Sequence, residues 1–562
     1  MFYCDVRVMR LNSNKHILPL SLLLVMTVLA INGCIVSQPS KSHPHVLFIS
    51  IDDLRPELGS YGSDQAITPN IDRLASEGIK FTRAYAQQAI CGPSRASVMT
   101  GLRPDSVGVT HNYVKFRESQ PNVVTIPQYF VEHGYQATYV GKIFHHGDLD
   151  DDLSWTWLPS RDLLNGVTKP SRYADPVNTE IQRENKQRMI AQYGAQARFG
   201  FGSGPAIEGV VTPDNSYHDG YNTELGIAAL EHLLNSSNKP IFFGFGMNKP
   251  HLPWVAPKQY WDLYNAEDIS LAIDKDAPIN GAAMGLHASF ELRTFYDIPK
   301  YGDISEAQAR ELKHAYLASV SYVDAQIGRL LEAFENAGVL DNTIIVLWSD
   351  HGYHLGEKGI WGKASNYEIA TRVPLVFWTP ELAQNQREPV TSDALAELID
   401  IFPTLAEMAG LPQPSAKDGT SLVSLFNSPT TNLKHAAFSQ FPTPALREWG
   451  AFPLRRGMRE TYFGPLIEDV EENIAVQMGD RWDKTLFETG VMGYTMRTSD
   501  YRLIAWLDQT SPDAPPLFVE LYDENSDPLE TNNIAAENQM LVSDLLNQLY
   551  VSLSLPQQGS SH

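Results

Sequence analysis

Residues 91 to 95 read CGPSR, and Cys91 is one of only three cysteines in 562 residues. A thiol there serves as a small apolar filler or, with Arg95 beside it, as a thiolate nucleophile. Two other stretches end apolar runs in carboxylates. In HVLFISIDD, residues 45–53, the run Val46 to Ile51 predicts a buried strand with Asp52 and Asp53 at its carboxyl end. In TIIVLWSDH, residues 343–351, Asp350 and His351 follow a strand in the same way. Carboxylates crowded at a buried strand end repel each other, and a hard divalent cation relieves that repulsion. A single Asp-Asp pair is more often a helix cap or a solvated turn. Two such ends, able to supply ligands from both sides, favour a metal.

Cations and histidines follow in separate stretches: Lys142, His145 and His146 in YVGKIFHHG, His251 in NKPHLPW, and Lys363 at the end of GIWGK. Taken one at a time, they read as solvated lysines and loop histidines. His218, Asp219, Lys249, His111 and His354 are further candidates for a substrate pocket. Trp155 and Trp157 either stack on a sugar or pack a loop, and packing is the stronger expectation.

Strands with chemistry at their ends need a sheet to align them. Besides 45–51, strands are expected at 137–141, 241–247 and 343–350. TPNIDRLASEG predicts a helix capped by Asn70 and stopped by Gly78, and 307–337 predicts a long helix with Leu317, Val320, Ile327 and Leu331 facing a core. Strands alternating with helices imply a largely parallel sheet covered on both faces, with ligands at its carboxyl edge. From about residue 443 the pattern shortens, with strand-like pieces at 501–507 and 519–528, so a smaller α+β domain (443–562) is expected beside a catalytic domain (45–442). The length suits two such parts.

The apolar run ILPLSLLLVMTVLAI, residues 17–31, follows Arg7, Arg10 and Lys15, the pattern of a secretory signal peptide. It is short for a membrane span. INGC, ending at Cys34, resembles the bacterial lipobox, although Asn32 is unusual before the glycine and plain cleavage nearby is the alternative. The expectation is a signal peptide over 1–33, a lipidated Cys34, a linker over 34–44, and a protein exported to the periplasm or cell envelope of a bacterium. Contact with the membrane would then be through lipid alone. Cys91 stands alone in the mature body, so no internal disulfide is expected. The net charge of −23 argues against a nucleic-acid partner and requires any anionic substrate to meet a local positive pocket.

The longer string CGPSRASVMTG, residues 91–101, fits C-x-P-S-R-x(4)-T-G and resembles the signature of type I sulfatases. ISIDDLRPELGSYG, YVGKIFHHG, NKPHLPW and DHGYHLGEKGIWGK are similar to that family's metal, lysine and histidine segments, and MGYTMRTSDYRLIAW and ELYDENSDPLETNNIA to its closing domain. His351, IWGK and ATRVPL look most like the iduronate-2-sulfatase branch; many other sulfatases have asparagine at the position of His351. The resemblance implies an alkaline-phosphatase-like α/β sandwich with a large, mostly parallel sheet and a smaller C-terminal α+β domain. It also implies that a maturation enzyme oxidises Cys91 to formylglycine, whose hydrate attacks sulfur. Asp52, Asp53, Asp350, His351 and the modified Cys91 would bind Ca²⁺, with Mg²⁺ second. Arg95 would orient and acidify the diol, His145 hydrogen-bond it and help the elimination, Lys142 and Lys363 hold sulfate oxygens, and His251 protonate the leaving alcohol. The implied substrate is a sulfated oligo- or polysaccharide, a glycosaminoglycan or an algal polymer such as ulvan. The alternatives are a phosphate or phosphonate monoester hydrolase of the same superfamily and a silent carbohydrate-binding relative. Residues 457–487 are expected to shape a substrate subsite.

Overall fold

The apolar run after residue 44 becomes the centre of a sheet. The computed structural model describes residues 43–555 apart from 146, 196–201, 386–387, 416 and 452–456, so the expected leader, Cys34 and His146 lie outside the described residues. Residues Pro44–His562 form one compact unit. Its large sheet has seven strands: β1 (His45–Ile51), β2 (Ile79–Tyr85), β3 (Gln136–Gly141), β4 (Ile241–Gly246), β5 (Thr343–Ser349), β6 (Arg372–Trp378) and β7 (Val390–Glu397). Their order is β7-β2-β6-β5-β1-β4-β3. All pairings are parallel except those of β6, which runs against both β2 and β5. The fold is therefore the α/β arrangement expected, with a mixed, mostly parallel sheet.

An uninterrupted apolar strand signals burial on both faces, and β1 is buried in that way. Leu47, Ile49 and Ile51 point into one core, and Val46 and Phe48 into another. Four helices bear on these cores: α1 (Pro69–Glu77), α2 (Cys91–Thr100), α3 (His218–Ser236) and α4 (Glu306–Asn336). α3 and α4 supply Leu230, Leu233, Leu312, Val320 and Ile327 to the first core, and α2 supplies Val98 and Met99 to the second. Leu317, Val320, Ile327 and Leu331 of α4 are all buried, as their spacing predicts. The cap of α1 differs from expectation. Its N-cap is Thr68, and Asn70 lies inside the helix. Asp324 of α4 accepts from the Asn70 and Ile71 amides at 3.2 and 2.7 Å, so the first turn is satisfied by a distant carboxylate.

A second sheet is antiparallel, in the order β8 (Ala437–Pro442), β9 (Val491–Arg497), β10 (Tyr501–Asp508), β11 (Phe518–Asp523). β10 and β11 correspond to the two strand-like pieces read near the carboxyl end, and β8 joins them from upstream of residue 443. Helix α5 (Gly464–Met478) buries Ile467, Ile474 and Met478 in a core shared with Ile504 and Trp506 of β10. No described helix is long and apolar enough to cross a membrane.

Candidate active site

Parallel neighbours deliver their carboxyl ends side by side. Ser50 of β1 is level with Gly246 of β4 and Ile51 with Ser349 of β5, so Asp52 and Asp350 leave the sheet together. Asp53 adopts the left-handed backbone region, φ 61°, which few non-glycine residues take. Its amide donates to Asp350 Oδ1 at 3.2 Å, so the two segments are tied across the strand ends. Lys142 follows β3, and its amide bonds to the Gly246 carbonyl at 3.0 Å. A Cβ at Gly246 would stand 2.2 Å from the Lys142 carbonyl group, so only glycine permits this approach.

Each position of the CGPSR motif has a structural use. Cys91 opens the buried helix α2 from an extended Ile90. The Gly92 amide donates to Asn112 Oδ1 at 2.8 Å, and a Cβ there would meet that oxygen at 2.7 Å. Pro93 lies in the first turn, where its missing N–H costs nothing. Ser94 Oγ donates to the Asp350 carbonyl at 2.5 Å. Arg95 Nε donates to Asp350 Oδ2 at 2.8 Å, while Nη1 donates to the carbonyls of Lys142 and Ile143 at 2.5 and 3.0 Å. Its Nη2 lies 3.6 Å from Asp52 Oδ1 and makes no hydrogen bond. Arg95 thus braces three strand ends from behind.

Around the Cys91 thiol, Asp52 Oδ1 and His351 Nε2 each stand at 3.4 Å and Lys363 Nζ at 3.5 Å. Lys142 Nζ reaches Asp52 Oδ2 at 2.5 Å, and Lys363 Nζ reaches Asp53 Oδ1 at 2.8 Å. Two overlapping groups bring donor atoms within 4.8 Å of one another: Asp52, Cys91, Asp350 and His351, and Asp52, Asp53, Cys91 and His251. Three buried carboxylates with one imidazole and residue 91 suit a hard divalent cation, with His351 the one nitrogen donor of the five expected ligands. Segments that lie far apart in the chain, those of Asp52, Arg95, Asp350 and Lys363, therefore meet in one place.

The charges here are strongly coupled. Burial pushes Asp53 up to about 6 despite Lys363, whereas Lys142, His251 and Arg95 outweigh burial at Asp52 and hold it well below the carboxylate range. Burial alone would lower Lys363, yet Asp53, Cys91 and Glu291 hold it well above an ordinary lysine. His145 is pushed down to about 3 by burial and then by Lys142, so its imidazole is neutral. His251 is lowered by burial and by Lys363.

These groups form the floor of a cavity of about 450 Å³ that Cys91, Lys142, His145, His251 and Lys363 all line. His218, Asp219 and Lys249 line it too. Other expectations are corrected. His111 does not line the cavity; the adjacent Asn112 does. His354 is fully buried and bonded to Ser365 Oγ at 2.9 Å. The packing expected of the two tryptophans is found: Trp155 packs on Tyr139 with ring centroids 4.6 Å apart, and Trp157 stacks on His232 at the same distance. No described residue of 457–487 lines the cavity. Phe463 packs behind Trp449 and Phe290, and Trp449 itself forms the wall. Sequence reasoning missed Glu291, whose Oε1 is 3.2 Å from His251 Nε2 and whose Oε2 is 3.5 Å from Lys363 Nζ. These two partners outweigh burial and hold it near 2. It sits in SFELRTF, a string with no chemical pattern, and only the fold brings it to the site.

Comparison with known proteins gives a consistent result. The family model described as Sulfatase matches residues 44–411. Iduronate 2-sulfatase of Mus musculus is 31% identical over 586 residues, covering 93% of this chain and 96% of its own. A sulfatase of Formosa agariphila is 33% identical over 399 residues, covering 69% and 73%. Among solved structures, the phosphonate monoester hydrolase of Agrobacterium radiobacter superposes with a TM-score of 0.63 at 21% identity, covering 91% of this chain and 95% of that one.

Proposed function

The chain belongs to the sulfatase family and is a sulfuric ester hydrolase of sulfated carbohydrates, and we propose that it works through a formylglycine at position 91 and a Ca²⁺ ion beside it. The observation that carries this reading is the placement of Cys91 at the start of α2, within 3.5 Å of Asp52, His351 and Lys363 on the floor of an open cavity. Asp52, Asp53, Asp350 and His351 are the residues that would hold the ion. When bound, it would lower the pKa of the nucleophile and offset the charge of the sulfate oxygens. Residue 91 as an aldehyde hydrate supplies an oxygen for attack at sulfur and a second hydroxyl whose deprotonation releases sulfate, where a serine would leave a stable ester.

The remaining steps belong to the chain's own side chains. Lys142 and Lys363 reach the cavity and neutralise sulfate oxygens, an electrostatic contribution that grows as water is excluded. Arg95 does not line the cavity; it is a positioning residue that fixes Asp350 and the backbone of Lys142. Neutral His145 accepts a hydrogen bond or proton from the diol. His251 has Nδ1 at 2.7 Å from the Leu252 carbonyl and Nε2 at 3.2 Å from Glu291, so both ring nitrogens face oxygen. Burial and Lys363 lower its pKa against the pull of Asp53 and Glu291, so a protonated ring gives up its proton readily, and the Nε2 proton is the one we assign to the leaving alcohol.

A 2-sulfated uronate is the substrate we favour, on the likeness to iduronate 2-sulfatase, and a sulfated rhamnose of an algal polymer such as ulvan is the alternative the sequence motifs leave open. The leader supports export and lipid anchoring at a bacterial envelope, with a sulfatase-maturing enzyme as obligate partner. Mass spectrometry of the peptide containing residue 91, paired with hydrolysis of an aryl sulfate and an aryl phosphate, tests the chemistry. An aldehyde with sulfate release at least a hundredfold faster is expected. An unmodified thiol in active enzyme, or preference for phosphate, would sink the formylglycine sulfatase mechanism. A panel of defined sulfated oligosaccharides then identifies the sugar.

A further inference from the structure

The cavity is lined by a second set of cations that the hydrolytic step does not use. Lys169 and Arg172 line it from an irregular segment between a 3₁₀ turn, Arg161–Leu164, and a helix, Pro176–Tyr193. That segment is tied down. The Tyr221 hydroxyl donates to the Val167 carbonyl at 3.4 Å, and the buried Tyr173 donates to Pro205 at 2.7 Å. The buried Glu208 carboxylate accepts from the Ala174 amide at 2.7 Å, the Asp175 amide at 3.2 Å and Asn178 Nδ2 at 2.8 Å. Arg172 is therefore fixed by the residues after it, while its own side chain and that of Lys169 are exposed. Neither makes a hydrogen bond or an ion pair among the described residues.

Lys249 belongs to the same group. It is buried, and its Nζ donates to the carbonyls of His251 and Pro253, which leaves one of its three protons for the cavity it lines. Burial lowers it to about 8, opposed by Asp219 and reinforced by Arg172. Lys169 acts in the same sense on His218. Asp219 is the acid that acts most strongly on Lys249, and it is already engaged. Its two oxygens accept from the amides of Asn248 and Lys249 and from Asn248 Nδ2, at 2.8–2.9 Å. A protein of net charge −23 thus keeps two cations without carboxylate partners, on a braced segment, at the wall of its reaction cavity.

Resting on the sulfatase reading, we propose that Lys169, Arg172 and Lys249 form a second anion subsite, which binds a carboxylate or a second sulfate carried by the same sugar chain as the scissile ester. A planar guanidinium presents paired donors to either group, and the lysines add charge without geometric demand. The enzyme then selects substrates by two anionic groups rather than one, with Lys142 and Lys363 holding the first. A cavity of about 450 Å³ lies within the range that encloses ligands of this size.

The test uses the full, matured chain and the double variant Lys169→Ala/Arg172→Ala, with Arg172→Glu as a second variant. Three disaccharides serve as probes: one with a single sulfate, one with a sulfate and a carboxylate, and one with two sulfates and no carboxylate. Affinities are read by calorimetry and kcat/KM by sulfate release, with an aryl sulfate as reference. The ratio of either doubly charged probe to the singly charged one is expected to fall at least tenfold in the double variant and further in Arg172→Glu, and to narrow in wild type as salt is raised. A fall for the carboxylate probe alone assigns the subsite to uronates; a fall for both assigns it to anions in general. Unchanged ratios, or an equal fall for all three probes, overturn the proposal. Failure of the wild type to release sulfate from the aryl ester would instead overturn the reading beneath it, and the binding ratios still decide the subsite.

Discussion

Two dense groups of charges lie buried in the same unit, one around Cys91 and one beneath the second sheet. Around Cys91, three carboxylates (Asp52, Asp53, Asp350) face three fixed cations (Arg95, Lys142, Lys363) and open on a cavity. In the other group, Arg497 and Arg502 of the second sheet meet Glu368, Glu524 and Glu530, and none of the five lines that cavity. Arg502 Nε lies 2.6 Å from Glu530 Oε1, Arg502 also pairs with Glu368, and the Tyr85 hydroxyl donates to Glu368 Oε1 at 3.1 Å. That cluster pins the small sheet to the short helix Glu368–Thr371 before β6 and to β2. Both groups perturb proton affinities strongly, so perturbation alone does not mark a reaction centre. What separates them is access: the first opens on a cavity and the second does not line it, whereas both keep buried atoms without a hydrogen bond, Arg95 Nη2 in the first and Arg497 Nε and Glu530 Oε1 in the second.

The contrast is sharpest where one cluster is broken and the other left alone. Replacing Cys91 by alanine removes the nucleophile, and turnover is expected to fall by at least about 10³-fold. The thermal midpoint should move little, because the side chain at 91 makes only long contacts and a methyl takes its place. Steady-state assay and thermal unfolding of the same preparation decide this, and a folded variant with substantial activity would place the nucleophile elsewhere. Arg502→Met should do the reverse. Removing one member of a buried ion cluster costs about 3–5 kcal/mol, because carboxylates are left without their counter-charge. Urea unfolding should show that loss, while kcat of the protein still folded stays near wild type.

The first cluster was largely legible in the sequence, because strand ends carry their chemistry in short strings. Asp52 and Asp53 after Val46 to Ile51, Asp350 and His351 after Ile344 to Trp348, and the whole of CGPSR meet where the parallel register puts them. The second cluster was not legible at all. Arg497 and Arg502 sit in strands whose alternation says which face is buried, but nothing local says that a buried face will be ionic. Glu291 escaped for a related reason: its role depends on a loop meeting His251 and Lys363, and loops have no period. Of the neighbours His111 and Asn112, residue type draws attention to the histidine, yet it is the amide oxygen of Asn112 that accepts from Gly92 beside Cys91. Residue type finds chemistry well and support poorly.

Lys363 tests whether the first cluster is more than a structural one. Its Nζ touches Asp53, Glu291 and the Cys91 thiol, and it lines the cavity. Lys363→Met keeps most of the apolar stem and removes the charge. If the lysine holds developing charge on sulfate, kcat should fall about 10²-fold, more than KM changes. A variant that loses stability instead, with kcat intact, would make Lys363 a counterpart of Arg502.

The smallest effect concerns protons in the closed cluster. Three carboxylates share the two buried guanidinium groups, and a third guanidinium, that of Arg372, stands 3.9 Å from Glu368 at the edge, so one carboxylate is left poorly compensated. Glu368 and Glu530 hold the short contacts to Arg502, whereas Glu524 stands at 3.4 Å from Arg502 Nε and 3.3 Å from Arg497 Nη2. The proton accordingly falls to Glu524, which burial, Glu368 and Glu530 push up to about 8. An acid whose pKa is higher folded than unfolded binds its proton more tightly in the folded chain. Its stabilising contribution is complete below the unfolded value near 4.5 and is lost as pH rises through about 8. One proton limits the slope to about 1.4 kcal/mol per pH unit, and solvent relaxation makes the observed slope smaller. Glu524→Gln keeps a neutral side chain at every pH, so its unfolding free energy should be flatter than that of wild type between pH 5 and 8. Urea titrations across that window measure the difference, and parallel curves would show that the second cluster carries its excess charge without a proton.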